Sequence, residues 1–126
     1  MSLLDRVINW SVNSISCSTT SHRKPTNPLM SDGKLPSLCL IEYGAQAAAV
    51  HAALISTRVD EKGKPAYIGN LKNIEWFEEF VNPTYDEITV HATREASSSA
   101  GAIYHLEVMA NELLLLSASM TLLMRG

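Results

Sequence analysis

The run Leu35-Pro36-Ser37-Leu38-Cys39-Leu40-Ile41-Glu42-Tyr43-Gly44-Ala45-Gln46-Ala47-Ala48-Ala49-Val50-His51-Ala52-Ala53-Leu54-Ile55 decides the fold. Nearly every residue in it is apolar or small, and a helix that is hydrophobic all round is a buried helix. Pro36 suits the first helical position, where a missing N–H costs nothing, so the sequence predicts a helix from Pro36 to about Ser56. Glu42 stands inside that run. A carboxylate on a buried helix is costly unless it is neutral, paired or put to use. The expectation is a buried carboxyl with a raised pKa, the kind of group that proton-transfer chemistry needs.

The same run nearly has the length of a membrane span. Glu42, Gln46 and His51 interrupt it, however, and its six alanines make it only weakly lipophilic. We read a core helix of a cytoplasmic protein, with no membrane partner. At 126 residues the chain is expected to be one domain, 1–126. A net charge of −3 leaves no broad basic surface for nucleic acid. Cys17 and Cys39 form no CxxC pair and have no histidine at ligand spacing, so they read as small hydrophobes, with no metal site. The N-terminus lacks the charged-then-apolar pattern of a signal peptide.

Working outward from the helix, residues 3–8 and 13–19 read as short strands around a turn. Between residues 21 and 34, Pro25, Asn27, Pro28, Asp32 and Gly33 mark an ordered loop. After the helix, residues 60–65 read as a solvated turn. Residues 66–73 and 86–94 read as strands, the second with Ile88, Val90 and Ala92 alternating against Thr89, His91 and Thr93. Residues 74–80 are open between an edge strand and an irregular turn. Ser97, Ser98, Ser99 and Gly101 break the pattern. Residues 102–109 and 112–124 then form a hairpin about Ala110 and Asn111. Its last strand offers Leu114, Leu116, Ala118, Met120, Leu122 and Met124 as one apolar face for the helix. The class is α+β, an antiparallel sheet curled around one long helix.

Pro36, the apolar residues to Ile41, then Glu42, Tyr43, Gly44, Ala45 and Gln46 resemble the helix motif of the hotdog-fold 3-hydroxyacyl-acyl-carrier-protein dehydratases. Leu3-Leu4-Asp5-Arg6-Val7 resembles that family's first-strand motif, and the hairpin ending at Met124 resembles its last. Ser21-His22-Arg23, Asn27-Pro28-Leu29 and Ile41 to Gln46 are similar to the divergent dehydratase-like proteins of aryl polyene pigment clusters. The resemblance implies a hotdog fold and dehydration of 3-hydroxyacyl thioesters, held on acyl carrier protein, to trans-2-enoyl thioesters. Fatty-acid-like or aryl polyene pigment synthesis is the setting it implies. It also implies a dimer with paired sheets, in which a loop histidine of one subunit meets the helix acid of the other. Homodimer and heterodimer both remain open.

The acid position carries over to Glu42. Counted back from Glu42 without a gap, the family's histidine falls on Pro28, and the loop's one histidine, His22, lies six residues earlier. His22 as base and Glu42 as acid would supply the two proton transfers that dehydration needs. Set against this, a loop histidine is often merely exposed, and a buried carboxyl can be satisfied by backbone donors or an arginine. The backbone N–H groups of Ser37 and Leu38 are candidates for polarising the thioester carbonyl. Gln46, one turn after Glu42, is a candidate for substrate contact or for purely structural bonding. Asn27 is a candidate for orienting loop or substrate, with a turn cap as the plainer reading. Arg23 and Lys24 flank His22 and would steer an acidic carrier, or simply solvate the loop. His51 is expected to be a satisfied core or interface histidine; His91 and His105 are assigned no chemistry. Trp76 and Phe77 read as core or dimer rim before acyl tunnel. No cofactor motif is present. Two other readings stand beside the dehydratase: a non-catalytic or weakly active hotdog subunit that pairs with an active one, favoured by the displaced histidine, and a hotdog acyl thioesterase.

Overall fold

The computed structural model describes residues 2–55 and 66–124. The strands are β1 Arg6–Trp10, β2 Ser14–Thr19, β3 Ala66–Trp76, β4 Ile88–Ser98, β5 Gly101–Ala110 and β6 Leu113–Met124, and the helix α1 spans Leu40–Ile55. All neighbours in the sheet run antiparallel, in the order β1-β2-β4-β5-β6-β3. The helix packs chiefly over β2, β4, β5 and β6. This is the expected α+β arrangement. The turn expected at residues 60–65 lies outside the described residues.

Alternation builds the core. Ile15 and Cys17 of β2, Ile88, Val90 and Ala92 of β4, Tyr104, Leu106 and Val108 of β5, and Leu116, Ala118, Met120 and Leu122 of β6 are all buried. Strand side chains alternate between faces, so these residues form one continuous apolar surface under the helix. Gly44 marks the closest approach of α1 to that surface. A methyl group at its Cβ position would lie 2.8 Å from Leu106 Cδ1, so glycine lets helix and β5 touch. Both cysteines are free, Cys17 in the core and Cys39 half-buried.

Element bounds shift from the sequence reading in several places, β1 among them at Arg6–Trp10. The serines at 97 and 98 continue β4, which pairs to the hairpin end where Ser98 faces Gly101. Residues 95–100 are exposed on both faces, so no alternation announces the strand there. β3 runs past Asn73 to Trp76, so the first part of the open stretch 74–80 is edge strand, reached through a register shift between Lys72 and Glu75 where Asn73 takes a positive φ of 53°. A further shift between Val108 and Met109 places an extra residue in β6, and Leu115 and Leu116 are consequently both buried. On the opposite face of β6, Ser117 is buried and Ser119 and Thr121 are half-buried.

The helix start is a single 3-10 turn, Ser37–Cys39, entered from an extended Pro36 and leading directly into α1. Two connections meet at this end of the molecule, the loop from β2 to α1 and the segment from β3 to β4. Ser37 N–H donates to the Glu79 carbonyl at 2.9 Å, and Val81 N–H donates to the Leu35 carbonyl at 2.8 Å. Phe80 also pairs with Pro36 as an isolated bridge.

Candidate active site

His22 lies in a 3-10 turn, Ser21–Arg23, immediately after β2. A buried network sets that turn. Asn27 Nδ2 donates to the Ser21 carbonyl at 3.0 Å and to Tyr43 Oη at 2.8 Å, while Asn27 Oδ1 accepts the Leu29 N–H at 2.9 Å. Ser21 Oγ donates to the Leu3 carbonyl at 2.7 Å and lies 2.9 Å from Tyr43 Oη. Burial pushes the Tyr43 phenol up, against the two hydrogen bonds from Ser21 and Asn27. Both amide protons of Asn27 are thus spent inside the loop. The bond from Leu29 N–H to Asn27 Oδ1 is the turn cap of the plainer expected reading, and the amide bonds tie the loop together, with no amide donor left for a substrate.

The side chain of His22 turns inward and retains 1% of its exposure. Its Nε2 lies 2.6 Å from the Tyr85 carbonyl. A carbonyl oxygen only accepts, so Nε2 carries the proton and Nδ1 holds a bare lone pair. That Nδ1 is buried and has no hydrogen-bond partner. Burial holds the imidazole below its ordinary pKa, the bond to Tyr85 opposes this, and the Arg23 charge adds to the lowering. The ring is neutral at pH 7. A neutral imidazole with an unpaired nitrogen has the chemistry to accept a proton.

His22 lines a cleft of about 420 Å³ with Met30, Lys34, Leu35, Phe80 and Asn82 among its walls. That volume falls within the usual range of small-molecule sites, roughly 300–1,000 Å³. Phe80, Val81 and Asn82 also wall a second, mainly apolar cleft of about 300 Å³, which Ser37, Phe77, Glu78, Tyr85 and Leu113 to Leu115 complete. One short segment therefore separates the histidine from a greasy groove at the helix start. Asn82 shapes that segment by accepting from Thr84 N–H and Thr84 Oγ1 at 2.9 and 2.8 Å, which sets the turn leading to the Tyr85 carbonyl.

Glu42 requires a correction. It is exposed, on the side of α1 opposite the buried Leu40, Ile41, Tyr43, Gly44, Ala47, Ala48 and His51. It lines neither cleft. The expectation of a buried acid counted alanines as core, and alanine is as much at home on an outward face. That outward face carries Leu38, Glu42, Ala49 and Ala53, all exposed within the single chain. His22 and Glu42 of one chain therefore do not form a pair.

Other expected site residues divide. The Ser37 N–H is spent on Glu79 and is not free to polarise a carbonyl. The Leu38 N–H belongs to the first turn, whose donors have no partner within the helix. Gln46 Oε1 accepts the Leu3 N–H at 2.8 Å and ties the N-terminal segment to α1. Arg23 and Lys24 sit exposed beside the His22 turn, at 3.8 Å from Asp86 and 3.9 Å from Asp5. His51 is satisfied in the core as expected: Nε2–H donates to the Ser11 carbonyl and Nδ1 accepts from Tyr104 Oη, both at 2.7 Å. Trp76 and Phe77 are exposed, with Phe77 on the rim of the apolar cleft. The sequence reading passed over Lys34, Phe80, Asn82 and Tyr85 as site residues. Asn82-Pro83-Thr84 carried a legible turn signal, but a backbone carbonyl such as that of Tyr85 leaves no trace in residue type.

A family model described as ApeP-like, ApeP dehydratase, matches residues 1–125. None of the curated proteins matches. Among solved structures, a chain of the dehydratase heterocomplex ApeI:P from Xenorhabdus doucetiae superposes with a TM-score of 0.88 at 19% identity, covering 99% of this chain and 84% of that one. A mutant of a thioesterase from Staphylococcus aureus superposes at 0.66 with 13% identity, covering 95% and 92%. A hypothetical thioesterase with coenzyme A from Streptococcus pneumoniae superposes at 0.69 with 10% identity, covering 96% and 85%. The fold is the hotdog fold that the helix motif implied.

Proposed function

We propose, proceeding from the fact that this chain belongs to the ApeP-like dehydratase family, that it dehydrates 3-hydroxyacyl thioesters held on acyl carrier protein. The observation that carries the reading is His22, a residue of the cleft wall that is buried and neutral and whose Nδ1 is unpartnered. In the reaction His22 Nδ1 takes the C2 proton, the C2–C3 double bond forms, and the C3 hydroxyl leaves as water after receiving a proton from a carboxylic acid. The Tyr85 carbonyl, bonded to Nε2–H, stabilises the imidazolium that results. The Leu38 N–H, at the positive end of the helix start, is the donor for the developing thioester oxyanion.

The acid comes from a second hotdog subunit, and the exposed Glu42 of this chain serves the second subunit's site in return. Two features support such a partner. The helix face around Glu42 is small and uncovered, and β3 is a long sheet edge whose helix-facing Ile68 and Trp76 stay 39% and 46% exposed. An edge of that kind invites another strand. The partner is a second copy of this chain or a different hotdog subunit. That the similar ApeI:P dehydratase is a heterocomplex favours the different subunit, as does the displacement of His22 from the usual spacing. We place the protein in the cytoplasm, in fatty-acid-like or aryl polyene synthesis.

The test supplies 3-hydroxyacyl and saturated acyl carriers to the protein, alone and with a second hotdog dehydratase subunit. Enoyl product is expected, diminished in Glu42→Gln and lost in the double variant Glu42→Gln, His22→Ala. Release of free acid from the saturated carrier selects a thioesterase and overturns the reading. Turnover only with the partner, unchanged in His22→Ala, selects a non-catalytic pairing subunit.

A further inference from the structure

Among the described residues, the lining of the His22 cleft carries one formal charge, and it is a cation. Of the described residues that line it, His22, Met30, Gly33, Lys34, Leu35, Phe80, Val81, Asn82 and Pro83, none is a carboxylate, although the chain as a whole carries a net −3. Lys34 is held there by its own backbone. Ser31 N–H donates to the Lys34 carbonyl at 2.7 Å and Lys34 N–H to the Ser31 carbonyl at 3.0 Å. Asp32 and Gly33, with φ of 52° and 75°, close the turn between them. Lys34 Nζ then stands 5.1 Å from the centroid of the Phe80 ring, within cation–π range. Among the described residues the ion pairs join Arg6 to Glu87, Arg23 to Asp86, Lys24 to Asp5 and His105 to Glu107; Lys34 is in none of them. A positioned ammonium group at an acid-free cleft leaves its charge for a ligand.

We propose that Lys34 is an anion-recognition residue and binds a phosphate ester at the mouth of the His22 cleft. The inference rests on the thioester reading above: a thioester substrate reaches the histidine on a long arm, and the arm's phosphate is the anion that Lys34 meets. Two sources share that chemistry, the phosphopantetheine of a carrier protein and coenzyme A.

The test measures binding, so it does not depend on turnover. Phosphopantetheine and pantetheine are titrated at low ionic strength into the full chain, followed by NMR at the His22 imidazole and the Lys34 side chain. The phosphorylated arm is expected to bind about tenfold tighter, the size of one hydrogen bond to a charged group. Lys34→Met is expected to erase that preference, and Lys34→Arg to keep it. Rising salt is expected to shrink it. Equal binding of the two ligands by the wild-type chain overturns the proposal, as do failure of both to bind at millimolar concentrations and an undiminished preference in Lys34→Met. Coenzyme A as a third ligand separates the sources: tighter binding than phosphopantetheine assigns the phosphate to coenzyme A, and equal or weaker binding assigns it to a carrier arm. A preference that depends on Lys34 in a protein that forms no enoyl product sinks the dehydratase reading and leaves the phosphate site standing.

Discussion

Acid is the stress to which His22 and His51 are most sensitive. Both are buried, and burial is the first cause holding both below the ordinary histidine pKa; Arg23 adds to it at His22 and Arg94 at His51. An unfolded histidine titrates near pH 6.5, so below that value the unfolded chain binds protons that the folded chain refuses. Their contribution to stability is therefore complete above about pH 6.5 and is lost as pH falls toward the folded values. Thermal unfolding followed by circular dichroism across this window is expected to show a falling midpoint, less steep in His51→Gln. The same depression should keep His22 a competent base on the acid side of pH 7. Of these residues, His22 was legible as a candidate from its loop and family motif. Its inward turn was not, because the Asn27–Tyr43–Ser21 network that enforces it joins positions far apart in sequence. Glu42 was legible as the acid and misread as buried, because a row of alanines does not say which face is covered.

Between elements, the contact that fixes the helix on the sheet is the approach of Gly44 to Leu106. Gly44→Ala places a methyl 2.8 to 3.3 Å from three side-chain atoms of Leu106. A destabilisation of about 1–3 kcal/mol is expected from such overpacking, measured by urea unfolding, and Leu106→Ala in the same chain should relieve part of the clash. The loop has its own test. Asn27→Ala removes donors from the buried Tyr43 Oη and the Ser21 carbonyl, and a loss of about 1–3 kcal/mol is expected. Elements with one buried and one open face, β4 above all, were legible from alternation. The distal end of the β4–β5 hairpin and the extra residue in β6 were not, since a register shift is settled by the partner strand. The cleft itself was the least legible feature. It is made where residues 77–87 fold against the loop before α1, and backbone bonds such as Ser37 to Glu79 carry no side-chain signature.

For the molecule as a whole, the uncovered surfaces matter most. The sheet ends at β1 and β3, and β3 presents exposed Ile68 and Trp76 on the side toward which α1 packs. If a second subunit continues the sheet there, the double variant Ile68→Lys, Trp76→Lys should lose its partner in light scattering while keeping its far-ultraviolet dichroism. Unchanged assembly would move the interface off β3. The class, the long helix and the hotdog resemblance were all legible in the chain, because they follow from hydrophobic pattern and one motif. The division of the site between subunits was implied only by family, because no single sequence records what its partner contributes. The central claim is that His22 removes the C2 proton. Its most direct test is the initial rate of enoyl formation from a 3-hydroxyacyl carrier with the second subunit present, for Glu42→Gln, which silences the second subunit's site, against the double variant Glu42→Gln, His22→Ala. A fall of about a hundredfold or more is expected for loss of a general base; an undiminished rate would contradict the account.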